Sequence, residues 1–540
     1  MQVEPVHIEN QSQLIRDYRS TKQNVMQHFD YTASFKEMKQ RVSDIKGRDY
    51  NRDQLVDVLI QLNNQWNAPK STLTNIERLR DENSVVVIGG QQAGILTGPL
   101  YSINKVISIV QLARMQEEKL KIPVVPVFWI AGEDHDFDEI NHVYKQEKNK
   151  MKKHILKQKN IDKQSVSQIE LEEQNVIHWL DELFEGLAET EYTKDLYSLI
   201  TDCLANSNTY VDFFAGLIFK LFDEEGLVLI DSGHTSVRKL ESNHFLNIIE
   251  KQTQLSKRVY ATEQHLKQDG YSISLDVDPD DAHLFYHHNK ERILLKRDEH
   301  GNWVGKQNEV KLTTEELLEI ARNNPELLSN NVVTRPLMQE LLFPTLAFIG
   351  GPGEISYWSV LKPAFHIMDL KMPPIMPRLS FTYMDRKVEK LLAKYNIPVA
   401  EAINRGIDVR KMQWLMSQSN PPIQKVVQEL KRVMEEAHKP LRDYSRNIRA
   451  DLGDLADKNL LHLFSEIEFL EGRIINTLEE KYNRELMEFD YLNNFLHPMA
   501  GLQERVWNPL FFINNHGFNF INKLTKHTCS FEQDHYVVYL

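Results

Sequence analysis

Two apolar runs that stop at glycine constrain this chain more than any other feature. Val85-Val86-Val87-Ile88 runs into Gly89-Gly90, and Pro123 to Ala131 runs into Gly132-Glu133-Asp134-His135-Asp136. Apolar residues without alternation, bounded by turn residues, are what a parallel strand needs when helices cover both of its faces. Ligands of open α/β sheets bind at the carboxyl ends of such strands. Glu133, Asp134, His135 and Asp136 fall at such an end, and carboxylates with imidazole are the groups most used to move protons. A solvated acidic loop after a strand is the plainer alternative.

The first run continues through Gly89-Gly90-Gln91-Gln92-Ala93-Gly94 and Gly98-Pro99-Leu100-Tyr101 to Lys105. This pattern predicts strand, glycine loop, helix. Glycines admit an anion close to the backbone amides, Pro99 suits a first helical turn, and a helix N-terminus favours carboxylate or phosphate. The spaced dinucleotide fingerprint and the phosphate loop ending in Gly-Lys-Ser/Thr are both missing. A tight turn with an exposed Lys105 is the competing reading. Leu346-Ala347-Phe348-Ile349 feeds a second loop, Gly350-Gly351, and Pro374 to Ser380 predicts a further strand bearing Arg378. Arg335 and Arg378 are the candidates to grip a substrate carboxylate or phosphate, since a planar guanidinium matches that geometry; structural ion pairs are the alternative.

Composition narrows the class. At 540 residues, 41% hydrophobic and 26% charged, the chain suits two or three globular domains. A net charge of −13 argues against general binding to nucleic acid or an anionic membrane. Two cysteines, Cys203 and Cys529, exclude a disulfide framework and a cysteine-rich zinc site, and fit a reducing cytoplasm. Neither a secretory leader nor a membrane span is expected, and no structural metal.

The expected organisation is an α/β protein: a Rossmann-like parallel-sheet core with connective insertions, plus a C-terminal α-helical antiparallel coiled coil. Residues 1–83 form a polar helical region, 84–144 the first part of the core, and 145–222 a Lys-rich, then Glu-rich helical insertion. The core continues over 223–255, a smaller β-containing insertion covers 256–329, and the core resumes over 330–400, beginning with Asn330 to Pro336. Residues 401–495 form the coiled-coil hairpin and 496–540 dock back on the core. Ile423, Val426, Leu430, Val433 and Ala437, then Leu463, Ile467, Leu470, Ile474 and Leu478, set the heptad-like seam. Pro440 is expected to kink the first arm, and the break Gly453 to Asn459 to reverse the chain. Arms of roughly 50 Å are too long for one domain to bury and predict pairing with a second protomer. In the last segment Arg505 and Trp507 are candidates to clamp a purine, packing being the alternative.

Gly89 to Gly94, Gly98-Pro99-Leu100-Tyr101, Val127 to Phe137, Asn331-Val332-Val333-Thr334-Arg335-Pro336 and Leu502-Gln503-Glu504-Arg505 together resemble the BshC family of cysteine ligases, assigned the last step of bacillithiol biosynthesis. The likeness spans nearly the whole chain and departs at Ile95-Leu96-Thr97, where phenylalanine and a further glycine are expected. The resemblance implies a core related to class I aminoacyl-tRNA synthetases, a coiled coil pairing two subunits, and an amide bond formed between L-cysteine and the amine of glucosaminyl-malate. That condensation requires activation, expected from ATP or another nucleotide. It implies His135, or Asp134 or Asp136, as general base, with Glu133 or Asp136 holding the ammonium form. Substrate contacts are implied at Gln91, Gln92, Gly94, Tyr101, Lys105, Trp129, Arg335 and Arg378. Nucleotide contacts are implied at Gly350, Gly351, Gln503, Arg505, Trp507 and Asn508. Two other classes compete: a metal-dependent hydrolase or deacetylase of an amino sugar, which lacks paired zinc spacing, and a non-catalytic coiled-coil scaffold, which leaves the strand-end motifs unexplained.

Overall fold

The computed structural model describes residues 1–147, 150–158 and 163–540. The chain divides into two compact units: residues 1–145, 153–383 and 504–540 form one, and residues 146–152 and 384–503 the other.

The first unit is built on five parallel strands, β1 (Val85–Gln91), β2 (Val124–Ile130), β3 (Val228–Asp231), β4 (Thr345–Gly350) and β5 (Ile375–Pro377), in the order β5-β4-β1-β2-β3. All of β2 and all of β1 but Gln91 are buried, as strands covered on both faces must be. The chain steps outward from β1 through β2 to β3, then returns to the far side of β1 for β4 and β5. The order therefore reverses between β1 and β4, and an open α/β sheet binds its ligands at such a reversal. Register sets Gln91 beside Ile130 and Ile130 beside Asp231, so the glycine loop, the acidic loop and the loop after β3 open along one edge. Four helices frame that edge: α1 (Tyr101–Leu120), α2 (Thr235–Gln268), α3 (Thr334–Leu342) and α4 (Pro352–Trp358).

The insertions differ from expectation in three places. Strands over His142–Glu147 and Lys150–Ile155 occupy the Lys-rich stretch expected to be helical; residues 148, 149 and 159–162 of that stretch lie outside the described residues. Helix α2 runs unbroken past residue 256, where the β-containing insertion was placed, to Gln268. That insertion is an antiparallel sheet of Asp281–His288, Glu291–Arg297, Trp303–Gly305, Lys311–Leu312 and Leu328–Asn330. Leu328–Asn330 is its edge strand, paired to Asp281–His288, and Thr334 opens α3, so Asn330 to Pro336 is a junction and not a core strand. At the termini, Gln2–Val6 pairs antiparallel with His535–Tyr539, which puts a strand at the start of the helical N-terminal region.

The second unit is helical. Ile423–Ile448 and Ala450–Lys481 lie antiparallel, joined across their faces by Lys431–Glu468 at 2.6 Å and His438–Asn459 at 3.1 Å. The reversal falls at Arg449, whose backbone is extended, not at Gly453 to Asn459. Gly453 is helical and buried, and a Cβ there would lie 2.9 Å from Cβ of Arg446; its smallness lets the arms close at the turn. Pro440 stays within an uninterrupted helix. At 1.5 Å per residue the 26- and 32-residue arms reach about 39 and 48 Å.

Candidate active site

The loop after β2 is seated by its glycine. A Cβ at Gly132 would lie 2.1 Å from both Asp231 Oδ1 and Ser167 Oγ, so no larger residue fits where the acidic loop crosses the end of β3. Glu133 then turns inward. Its carboxylate meets Arg238 of α2 and accepts the Asn330 N–H at 2.9 Å, both deep in the protein. Arg238 also donates to Glu241 at 2.6 Å. One buried cation thus serves two buried carboxylates. Burial alone would raise both, but Arg238, Arg292 and the Asn330 N–H hold Glu133 below the usual carboxylate range. Glu241, with one oxygen lacking a partner among the described residues, is pushed up by burial to about 7. Glu133 therefore keeps its charge more firmly than Glu241. Asp231, likewise pushed up by burial, to about 6, accepts from Ser167 at 2.8 Å and the Gly233 N–H at 2.9 Å.

Asp134, His135 and Asp136 turn the other way, toward the antiparallel insertion and solvent; Asp134 and His135 are half-buried and Asp136 is exposed. Arg292 reaches them from that insertion, 3.1 Å from His135 Nδ1 and 3.5 Å from Asp134. Burial first, then the Arg292 charge, hold His135 below its usual range, opposed by Asp134 and Asp136.

On the other side of the reversal, Lys105 of α1 is buried and donates to Gly90 O at 2.6 Å, Gln91 Oε1 at 3.1 Å and Glu354 at 2.6 Å. Three acceptors take all three of its donors. Lys105 therefore fixes the end of β1 to α4 instead of facing a substrate. Arg378 is likewise committed: its guanidinium lies on Glu504 at 2.7 and 2.6 Å and on Leu379 O at 2.9 Å. Glu504 also accepts from Asn104 and Ser380, each at 2.7 Å, and although burial raises it, Arg378 brings it down to about 2. This is the structural ion pair, not a free anion clamp. Arg335 differs. From the first turn of α3 it donates to the Tyr357 hydroxyl, and its Nε is buried with no partner among the described residues. The charges of Tyr357, Glu354, Asp134 and Glu133 act on it against its burial and keep it firmly protonated, so it lies within the field of both halves of the site.

The glycine loop is held by the chain's last segment. Trp507 O accepts the Leu100 N–H at 2.8 Å, and Asn508 Nδ2 donates to Leu96 O and Gly98 O at 2.9 and 2.7 Å. The Gly94 and Gly98 N–H groups bond to Gln92 O and Ile95 O. These amides, expected to receive an anion, bond within the protein, and α1 begins at Tyr101, two residues after Pro99. Gln91, Gln92 and Tyr101 remain half-buried at the strand ends, Gln91 as a partner of Lys105. Trp129 is 0% exposed within β2 and cannot reach a substrate. Leu96 and Thr97 have φ of 50° and 69°, a region costly for a branched side chain. Thr97→Gly is expected to raise unfolding free energy by about 1 kcal/mol, read as a shift of the urea midpoint.

Two family models match end to end: "Bacillithiol biosynthesis BshC, N-terminal Rossmann-like domain" over residues 1–379 and "Bacillithiol biosynthesis BshC, C-terminal coiled-coil domain" over residues 381–540. Proteins named "Putative cysteine ligase BshC" are similar along the full chain. That of Oceanobacillus iheyensis is 45% identical over all of both chains, that of Bacillus cytotoxicus 42% over 98% of both, and that of Bacillus cereus strain B4264 41% over all of both. The chain belongs to the BshC family. Membership bears out the Rossmann-like core with its C-terminal coiled coil, and meets the expected ligase class at the level of the family.

The residues implied for a nucleotide in this BshC chain do not fit one. The Gly351 N–H is capped by Glu354 at 2.8 Å, which sets a carboxylate where a phosphate would sit. A Cβ at Gly350 would meet Ile375 at 3.0 Å, which makes this glycine a packing residue. Trp507 is buried against Phe511 and Phe512, Asn508 is tied to the glycine loop, and Gln503 donates to Phe495 O at 3.0 Å. Of the six, Arg505 alone is exposed. Among the described residues no group of three or more His, Cys, Asp and Glu is gathered as a metal would need.

Arg238, Glu241, Arg292, Asn330, Glu354 and Tyr357 escaped the sequence reading. Arg238 and Glu354 had a signal, since each lies within a turn or two of a strand end. Arg292 had none, because it sits in an insertion folded back over the sheet.

Proposed function

We propose that this chain is the amide-forming ligase of bacillithiol biosynthesis that joins the carboxyl group of L-cysteine to the amine of glucosaminyl-malate, the last step of that route. The observation that carries this reading is Arg335, a cation at the strand-end reversal with a buried donor that has no partner among the described residues, set in the field of Asp134 and Glu133. A substrate bearing carboxylates at one end and an ammonium at the other suits that pairing. Arg335 would grip a malate carboxylate, and Asp134 and Asp136 would hold the ammonium until it gives up a proton. Gln91, Gln92 and Tyr101, lining the adjoining strand end, would bear on the sugar. Amide formation in water runs uphill, so the cysteine carboxyl must arrive activated; a nucleoside triphosphate is the co-substrate proposed.

The deciding experiment is mass spectrometry of purified protein with L-cysteine and glucosaminyl-malate, with and without ATP and magnesium. Product in the presence of ATP alone is expected, the spent nucleotide reporting the activation. Absence of product under every condition would sink the reading.

The coiled coil is proposed to pair two copies. Val426, Leu430 and Val433, then Leu441, Tyr444 and Ile448, recur three or four residues apart in two groups along one arm and are all at least 44% exposed. Sedimentation equilibrium is expected to give twice 63.3 kDa, and a single-chain mass at micromolar concentration would exclude it. No helix of the described residues is long and apolar enough to cross a membrane. The proposed compartment is the cytoplasm, consistent with two buried, unpaired thiols at Cys203 and Cys529.

A further inference from the structure

His135 stands where a general base is wanted, yet the geometry around it assigns the ring a different task. Its Nδ1 lies 3.1 Å from an Nη1 of Arg292. A guanidinium carries donors only and does not lose its proton in a protein, so Nδ1 is the acceptor. The ring's lone pair is then engaged, and a neutral imidazole in that state holds its hydrogen on Nε2. Arg292 is fixed from every other side. Its Nε donates to Ser329 Oγ at 3.0 Å, and its Nη2 to Asn330 O at 2.6 Å. Its guanidinium carbon sits 3.6 Å from the centroid of Phe285, whose ring meets His135 edge-on at 5.9 Å. With its side chain 3% exposed, Arg292 has no solvent route by which to release the imidazole. The other charges acting on His135 are Asp134, Asp136 and Lys163.

We propose that His135 acts as a neutral hydrogen-bond donor through Nε2, aimed at the oxygen of the carboxyl group under attack, and that Arg292 is the positioning residue that fixes this tautomer. The proposal rests on the ligase reading given above and refines it. The proton of the attacking amine then goes to Asp136, the exposed carboxylate, which has no ion pair among the described residues; Asp134 is held by Arg292. In the step itself, the amine nitrogen forms the new bond to the activated carboxyl carbon. The nucleotide-derived activating group departs with its electron pair, and one proton passes from nitrogen to carboxylate. Through Nε2–H, His135 stabilises the charge that builds on the carboxyl oxygen, as preorganised donors do in acyl transfer.

Nitrogen-15 spectra of full-length protein labelled at histidine test this directly, with His135 assigned by its disappearance in His135→Gln. The wild type is expected to show the Nε2–H tautomer from pH 6 to 8, and Arg292→Met, which removes the donor at Nδ1, a tautomer mixture. An Nδ1–H ring or an imidazolium in the wild type would overturn the proposal. Turnover supplies a second arm: His135→Gln, which donates but does not take up a proton, is expected within about tenfold of wild type, while His135→Ala falls about 10²–10³-fold. Equal loss in both variants would also overturn it. The spectra require no turnover, so a failure of the ligase reading, seen as no amide from the wild type, stays distinct from a failure of the tautomer assignment.

Discussion

Arg238→Met is expected to lower the unfolding free energy by about 3–5 kcal/mol, the cost of leaving a buried partner unpaired. Arg238 lies between Glu133 and Glu241 with its side chain 2% exposed, so its loss strands two carboxyls. Methionine fills the space and carries no charge, which separates the electrostatic effect from a cavity effect. The pH dependence gives the sign. In the wild type Glu241 rises from 4.5 to about 7 and Asp231 from 3.8 to about 6, both through burial, so the folded form binds protons that the unfolded form has released. Stability from these groups is present below the unfolded values and declines as pH climbs from about 4 to 7. In Arg238→Met, Glu133 shifts the same way, because Arg238, the foremost of the groups holding it down, is gone and only Arg292 and the Asn330 N–H remain. The deficit should therefore be larger at pH 8 than at pH 5, as measured by urea unfolding of both proteins. An equal deficit at the two pH values would mean that Glu133 is ionised without Arg238.

Arg335→Ala is expected to raise KM for the amino-sugar acid about 100-fold while kcat changes little, since a charge-assisted pair gripping a remote carboxylate acts equally on ground and transition states. Arg335→Lys should recover little of this, because an ammonium has no planar fork. Arg378 gives the contrast. Its guanidinium is locked on Glu504, so Arg378→Ala should show as lost stability and not as a selective rise in KM. Amide yield against substrate concentration, with a thermal melt of each variant, reads both. An unchanged KM in Arg335→Ala would remove Arg335 from the binding site.

These two arginines mark how far the chain could be read in advance. Both stand out as bases near strand ends, and both suit an anion equally well as residues. What separates them is Glu504, distant in sequence and brought onto Arg378 by the returning C-terminal segment. Lys105 shows the same thing: its place after a glycine loop suggests a phosphate contact, whereas the fold sets Glu354, Gly90 O and Gln91 around it. Trp129 follows the opposite logic, since its position in a continuous apolar run already implies burial.

Local physics determined a good deal. Unbroken apolar runs ended by glycine can be little other than buried parallel strands, heptad spacing with few core polar residues forces paired helices, and the acidic loop after β2 must emerge at a strand end. These follow because period, burial and turn chemistry act over a few residues. The tertiary structure alone decided which charged groups remain unpaired, that Arg292 comes from an inserted sheet to set the state of His135, that Glu133 faces inward while Asp134 to Asp136 face the site, and where the coiled coil reverses. Each depends on a contact between residues far apart in the chain, and the energy of a buried charge is set by such partners and not by its neighbours in sequence.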